Sequence, residues 1–493
     1  MTIPMFSAIS PLTGKPLPRQ HRIAPPDEVD TVCLQAAAAF EALSVMPGAR
    51  IAEFLQAIAG GIANLGDQLL QTASEETGLS LPRLAGERDR TVFTLRTFAE
   101  LAGESAWTRR VEFASDPSRK PLPRPALSRW LTPLGPVAVF GASNFPLAYS
   151  TAGGDTASAL AAGCPVVVKG HPLHPATGEL VAEVIAQAVA DCSMPHGTFA
   201  YLSAGGDRDH EIGMELVTHD AIKAVGFTGS FKGGQALSKL CQSRREPIPV
   251  FAEMGSINPI FVLASAERRT ESIADQVFAS LSNSNGQMCT CPGLVFVPAG
   301  ALSDRFTARL VQLVDQAPAQ TMLSAKIRES FLSRVHECAQ VPGVDMIARG
   351  RPAPGEGIFQ PLLLLKTTIS TFQRFHTLRD ECFGPSTIVV EYGSEDELMH
   401  LARSIPGSLA AAVYFDSSGN NDATDRRAMA LADLLQRRVG RLVLNGMTTG
   451  VEVSPAMVHG GPFPSTNQPQ STAVGAMAIE RWCRPVCRQS HPL

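Results

Sequence analysis

An α/β fold is what this sequence predicts, and three observations carry the prediction. Short apolar, valine-rich runs alternate with stretches of helical period along most of the 493 residues. The alternation comes twice, once through the first half and again from about residue 256. Polar and glycine residues gather where the apolar runs stop, and ligands of parallel sheets sit beyond the carboxyl ends of strands.

The elements follow in order. Residues 28–79 read as helical, with Val32, Leu34, Ala37, Phe40, Ile51, Phe54, Leu55 and Ile58 spaced near 3.6, and residues 87–103 read as another helix. Residues 115–127, rich in proline, arginine and serine, read as an extended connection. Strands are expected at 136–140, 165–169, 198–202 and 221–225, with helices at about 148–163, 176–191, 208–217 and 230–242. The second block starts with a strand at 259–263, a helix at about 267–283 and strand-like pieces at 294–297, 387–391 and 411–415. A helix at about 301–316 belongs to it, and residues 471–488 read as a tail of short elements.

Composition narrows the function. The length allows about three domains of ~150 residues each, and a net charge of −4 with no long basic tract argues against a nucleic-acid surface. No apolar run approaches a membrane span, and the first eighteen residues lack a basic region followed by an apolar core. Ten scattered cysteines form no disulfide framework, and no zinc-type spacing is present; the expected site has no metal and the expected compartment is a reducing cytoplasm. His171 and His174, flanked by prolines, read as loop residues.

Cys289 lies in the polar turn Asn285-Gly-Gln-Met-Cys-Thr290, ahead of the apolar run Leu294-Val-Phe-Val297. Glu253 ends the apolar stretch Val250-Phe-Ala-Glu253. A lone cysteine usually acts as a small buried hydrophobe, and a lone glutamate after a strand is usually solvated or capping. Together the two can form a nucleophile and a base. A carboxylate disfavours a neighbouring thiolate, so Glu253 is expected to activate water rather than the sulfur. Asn144 sits in a glycine turn, where its amide can be structural or can hold an oxyanion. Lys169 ends a valine strand, and Gly226-Phe-Thr-Gly-Ser230 opens a helix whose N–H groups can take a phosphate. A tight turn needs its glycines in any case, and no Gly-x-Gly-x-x-Gly follows the first strand.

Taken in order, these motifs resemble those of the aldehyde dehydrogenase superfamily over nearly the whole chain. Gly286-Gln-Met-Cys289 is similar to its nucleophile motif, Phe251-Ala-Glu-Met-Gly255 to its general-base motif, and Asn144-Phe-Pro146 to its oxyanion asparagine. Lys169, the turn with Gly226, Gly229 and Ser230, and Glu381-Cys-Phe-Gly-Pro385 with Glu381 and Phe383 match its cofactor contacts. The resemblance implies a Rossmann-type cofactor domain at 1–120 and 134–253, an α/β catalytic domain at 254–465, and a small β oligomerisation element at 121–133 and 466–493. It also implies a homodimer or homotetramer.

The implied reaction is NAD(P)-dependent oxidation of an aldehyde through a Cys289 thiohemiacetal and thioester. One departure permits NADP, the preferred cofactor, with NAD as the alternative. The run Lys169-Gly-His-Pro172 lacks the family's ribose-binding glutamate, and Arg208 is either a phosphate partner or a solvated helix-end residue. Lys169-Gly-His-Pro, His459-Gly-Gly-Pro and Ala478-Ile-Glu-Arg-x-x-Arg-Pro-Val486 resemble a branch holding 2,5-dioxovalerate (α-ketoglutaric semialdehyde) dehydrogenases and NADP-dependent fatty aldehyde dehydrogenases. There His459 stands near the nucleophile, either supporting the thiolate as imidazolium or serving as a loop residue. The dioxo-acid is the expected substrate and fatty aldehydes the alternative. Phe145, Tyr149, Ala152, Met288 and Thr290 are expected to line the substrate tunnel, with Tyr149 and Ala152 on one face of the helix after Asn144. The general-base glutamate argues against release of the thioester to coenzyme A or phosphate. Loss of Cys289, Asn144 or Glu253 would have suggested a catalytically silent family member, and all three are present.

Overall fold

The computed structural model describes residues 4–416 and 422–490. The first block is a five-stranded parallel sheet, in the order Phe199–Leu202, Val166–Lys169, Val137–Phe140, Ala224–Thr228, Val250–Glu253. Its valines are buried on both faces, as a parallel sheet under two helical layers requires. The N-terminal helical stretch divides into α1 (Pro26–Leu43), α2 (Gly48–Asn64) and α3 (Gly66–Thr77), followed by α4 (Leu81–Gly103). Phe54, Leu55, Ile58 and Ile62 of α2 pack with Val137, Val139, Val166 and Val168 in one core. Each such side chain contributes about 1.5–3 kcal/mol through burial.

The crossover helices are α5 (Gly154–Ala161), α6 (Pro175–Asp191), α7 (Asp209–Thr218) and α8 (Phe231–Gln242). The fourth strand runs over Ala224–Thr228, three residues later than its sequence pattern suggests. Helix α5 begins only at Gly154; residues 146–153 form turns, folded back by Ala142 N–H donating to the Tyr149 carbonyl at 2.8 Å. Tyr149 and Ala152 therefore do not share a helical face. Ala152 lies in the first core, 1% exposed.

The second block is a seven-stranded sheet. Its order is Asp345–Arg349, Leu363–Thr368, Ser386–Tyr392, Leu294–Pro298, Ile260–Val262, Ser408–Tyr414, Val439–Leu444. Only Asp345–Arg349 runs antiparallel to its neighbour. Helices α9 (Thr270–Ser282), α10 (Ala301–Gln316) and α11 (Ala325–Ala339) cover it. A three-stranded antiparallel sheet joins Cys483–Ser490, Ala126–Pro133 and Val111–Phe113. Val111–Phe113 thus pairs with the strand after the proline-rich connection and not with the first block.

The C-terminal segment is tied to the first block. Trp482 is fully buried and donates through Nε1 to Ser158 Oγ at 2.8 Å, and Arg481 pairs with Asp155 at 2.6 Å. Among the described residues no helix is long and apolar enough to cross a membrane.

Candidate active site

The chain brings Cys289 to the seam between the two sheets through an unusual turn. Ser284 and Asn285 take left-handed φ values of 51° and 52°, and Gly286 follows at 66°. A Cβ on Gly286 would lie 2.3 Å from the Gly384 carbonyl, so only glycine fits there. Buried amides then fix the turn. Asn258 Nδ2 donates to the Cys289 and Cys291 carbonyls at 2.8 and 3.0 Å. Gln287 donates to the Ser284 and Thr321 carbonyls at 3.0 and 3.2 Å and accepts from Leu323 N–H at 2.9 Å. Asn285 Nδ2 donates to the Gln320 and Gln360 carbonyls, both at 3.0 Å.

Asn144 is buried, and its Nδ2 donates to the Gln287 carbonyl at 2.9 Å. An amide nitrogen carries two protons, so one N–H is left for a developing oxyanion. Helix α4 holds this arrangement together. Arg83 donates to the Asn144 carbonyl and to Ser284 Oγ, both at 2.9 Å, and pairs with Glu87. Glu87 accepts from the N–H groups of Leu147 and Ala148 at 2.8 and 2.9 Å. Arg83, Glu87 and Asn258 were not singled out from sequence. The first two carry a signal there, an Arg–Glu pair at i, i+4.

Glu253 ends its strand buried at 5% exposure. The returning chain clips that strand: Met254 N–H donates to the Ser465 carbonyl at 2.8 Å, and Asn467 Oδ1 accepts from Ala252 N–H at 2.8 Å. The same return carries His459 inward. Its Nε2 lies 3.1 Å from Glu253 Oε1 and 3.5 Å from Cys289 Sγ. One donor atom from each of Cys289, Glu253 and His459 lies within 4.8 Å of the others. Among the described residues, Glu253 Oε2 has no hydrogen-bond partner. Burial pushes the Cys289 thiol well above its ordinary pKa, helped by Glu253 and Glu381 and opposed by Arg90.

A cavity of about 270 Å³ reaches this group and is walled by Asn144, Ser230, Glu253, Cys289, Glu381 and Phe383 among others. Another, of about 500 Å³, continues along the strand ends past Lys169, His171, Asp209 and Gly213. Ser143, Thr228, Gly229 and Ser230 border both. The result is one groove running from Lys169 to Cys289. The N-terminus of α8 faces its middle, with Ser230 Oγ accepting from Gly233 N–H at 3.2 Å. A Cβ on Gly213 would stand 3.6 Å from the Lys169 side chain and narrow the nucleotide end. A groove with a lysine at one end, helix N–H groups midway and a thiol at the other suits a dinucleotide.

Three sequence expectations are corrected here. Gly226 does not line the groove: it lies within its strand, where a Cβ would meet Asp155 Oδ2 at 2.6 Å and Trp482 at 3.0 Å. Packing against the C-terminal segment explains that glycine. Arg208 does not line the groove either; it pairs with Glu215 at 2.8 Å and Glu211 at 3.1 Å and donates to the Ala24 carbonyl. The carboxylate that sequence reading missed beside Lys169 is present, supplied by Asp209 at the start of α7.

The remaining expected residues divide. Glu381 and Phe383 both wall the Cys289 cavity. A Cβ on Gly255 would lie 2.4 Å from Glu381 Oε2, so that glycine makes room for the carboxyl. Burial raises the Glu381 pKa to about 7, with the Glu253 charge adding to it. Phe145 packs edge-on to Tyr149 at 5.1 Å, and Tyr149 lies 6.0 Å from the His459 ring. Met288 borders a small pocket beside Glu381 rather than the Cys289 cavity. Thr290 is buried, with its carbonyl accepting from Thr448 Oγ1 at 2.9 Å. His171 and His174 stack at 4.9 Å, and His174 Nε2 bonds the Ala142 carbonyl at 3.1 Å, so this pair braces the Asn144 turn.

Comparison with known proteins gives the family and the fold. Residues 3–484 match the model of the Aldehyde dehydrogenase family. The chain is 43% identical to alpha-ketoglutaric semialdehyde dehydrogenase 2 of Azospirillum brasilense, covering 98% of this chain and 91% of that one. It is 42% identical to alpha-ketoglutaric semialdehyde dehydrogenase of Acinetobacter baylyi, covering 94% and 86%. Betaine aldehyde dehydrogenase of Staphylococcus aureus, solved in complex with NAD+, shares the fold with a TM-score of 0.84 at 21% identity, covering 98% of this chain and 91% of that one. With a full-length family match and two relatives above 40% identity, this chain is an NAD(P)-dependent oxidoreductase and belongs to the aldehyde dehydrogenase family.

Proposed function

We propose that the chain oxidises 2,5-dioxovalerate, the semialdehyde of 2-oxoglutarate, to 2-oxoglutarate. The observation that carries the substrate is 43% identity over nearly the whole chain to a relative named for that activity. Cys289 Sγ attacks the aldehyde carbon, and the free Nδ2–H of Asn144 with the Cys289 backbone N–H holds the resulting oxyanion. His459, between Cys289 and Glu253, supports the thiolate against the burial that opposes it. A nicotinamide cofactor bound in the groove supplies the hydride acceptor. Lys169, Gly229 and Ser230 would hold its nucleotide end, and Glu381 and Phe383 the nicotinamide end. The thioester left on Cys289 is hydrolysed by water that Glu253 deprotonates, with Oε2 open to receive the proton.

NADP and NAD both remain acceptors in this reading. With Arg208 engaged elsewhere and Asp209 in the groove, an NADP preference rests on how the Lys169–Asp209 pair meets a 2′-phosphate. The strand Cys483–Ser490 and its partner Ala126–Pro133 offer a sheet through which copies would pair as a homodimer or homotetramer. Ten free cysteines, nine of them at least partly buried, suit a reducing cytoplasm.

The test is kcat/KM for 2,5-dioxovalerate against hexanal and decanal, each with NADP and with NAD. Strong preference for the dioxo-acid is expected. Preference for the alkyl aldehydes would reject the substrate and leave the Cys289 chemistry standing.

A further inference from the structure

Two arginines near the nucleophile have no role in the chemistry above. Arg90, on α4, donates to the Val451 carbonyl and, at 3.0 Å, to Tyr149 Oη, with its guanidinium 5.7 Å from that ring. Arg441, on the last strand of the second sheet, donates to the carbonyls of Thr448 and Gly450. Two elements from different blocks thus direct guanidinium groups at one stretch, residues 448–451. That stretch touches the nucleophile turn through Thr448 Oγ1 and the Thr290 carbonyl. Tyr149 faces His459, and His459 faces Cys289.

The partners of this pair are uncharged. Arg83, Arg208 and Arg481 each meet a carboxylate. Arg90 and Arg441 meet neutral carbonyls and a phenol, with no carboxylate partner among the described residues. Both are only partly exposed. Arg90 pulls the Cys289 thiol down against its burial, and burial lowers the Arg441 pKa while Cys289 and Tyr149 raise it. Partly desolvated guanidinium groups with spare N–H donors favour an anion. Tyr149 adds a neutral donor. Arg90 uses a lone pair of its oxygen, and desolvation keeps the phenol protonated, so its O–H remains to give.

We propose that Arg90, Arg441 and the Tyr149 hydroxyl form the subsite for the 2-oxo-acid end of the substrate, the end remote from the aldehyde. The proposal rests on the oxo-acid reading above and adds to it the residues that select the acid. A short chain with a terminal carboxylate satisfies the paired charges. A long alkyl chain would lie against them and gain nothing for desolvating them. Long-chain aldehydes are therefore disfavoured by the same two residues.

The test compares 2,5-dioxovalerate with pentanal, an aldehyde of equal carbon number without the acid, and uses glutarate as a competing diacid. Arg441→Gln and Arg90→Gln are each expected to lower kcat/KM for the dioxo-acid by ~10- to 100-fold, chiefly through KM, and to lower its ratio to pentanal by a similar factor. Glutarate inhibition should weaken in parallel. Tyr149→Phe keeps the ring packing and should reduce the ratio by several-fold, which covers the case in which an arginine variant does not fold. Equal losses for both aldehydes, with glutarate inhibition unchanged, would mean that the arginines only brace residues 448–451 and would overturn the subsite. If the wild-type enzyme does not prefer the dioxo-acid yet the variants still lose glutarate inhibition, the subsite stands and the substrate reading fails.

Discussion

Between Ser284 and Cys291 the side-chain amides of Asn285 and Gln287 are spent on the chain around them, and Asn258 reaches in to hold two more carbonyls. At Glu253 the backbone is equally fixed, yet the carboxyl keeps one oxygen without a hydrogen-bond partner among the described residues and shares the other with His459. The nucleophile is placed by its turn; the base is left able to change partners. The contrast follows from their tasks. An attacking sulfur loses rate steeply when displaced. A base that serves a water must release one contact to make another.

The contrast can be broken at four points. Cys289→Ser should lower kcat by ~10⁴-fold or more, while cofactor binding followed by fluorescence titration is retained. Normal turnover would remove the covalent route. Glu253→Gln should give a burst of reduced cofactor of about one equivalent and then a steady rate lower by ~10²- to 10⁴-fold. An unchanged steady rate would exclude Glu253 as the deacylating base. Gly286→Ala forces a Cβ against the Gly384 carbonyl at a left-handed residue, so the turn must shift. A loss of ~10²-fold in kcat, with a lowered melting temperature, is expected; wild-type kcat would show that the turn tolerates displacement.

The smallest effect concerns the flexible side. Glu381, ordinarily near 4.5, is raised to about 7 by burial first and by the Glu253 charge. Its neutral form contributes stability that is complete below the ordinary value and is lost as pH rises through about 7. Ionised, it is the better acceptor for cofactor hydroxyls. Cofactor KM should therefore fall a few-fold as pH rises through about 7, and Glu381→Gln should flatten that profile. A profile that survives the substitution would assign the titration to another group.

Much of this arrangement was legible in the residues. Valine runs ending in polar turns gave the first sheet, because burial on both faces demands continuous apolar strands. Glu253 ends a strand, Asn144 follows one, His459 lies on the returning chain and Cys289 lies in the turn between α9 and the strand Leu294–Pro298, and the four converge. Other features depended on tertiary context. The run Leu362-Leu-Leu-Leu365 reads as readily helical as extended, and only its place inside the second sheet makes residues from Leu363 on a strand. Asp209 reaches Lys169 from forty residues away, which no local motif encodes. Gly226 belongs to a turn in the sequence and to a contact with Trp482 in the fold.

Arg83 binds the carbonyl of Asn144 from the first block and the hydroxyl of Ser284 from the second. The joint is therefore also a thermodynamic link. Heating that loosens either half disturbs the same guanidinium, so the two halves should lose their structure in one cooperative transition rather than in succession. A ligand that grips only the groove of the first half would then protect the second half as well, and calorimetry would record that protection as a single peak moving upward.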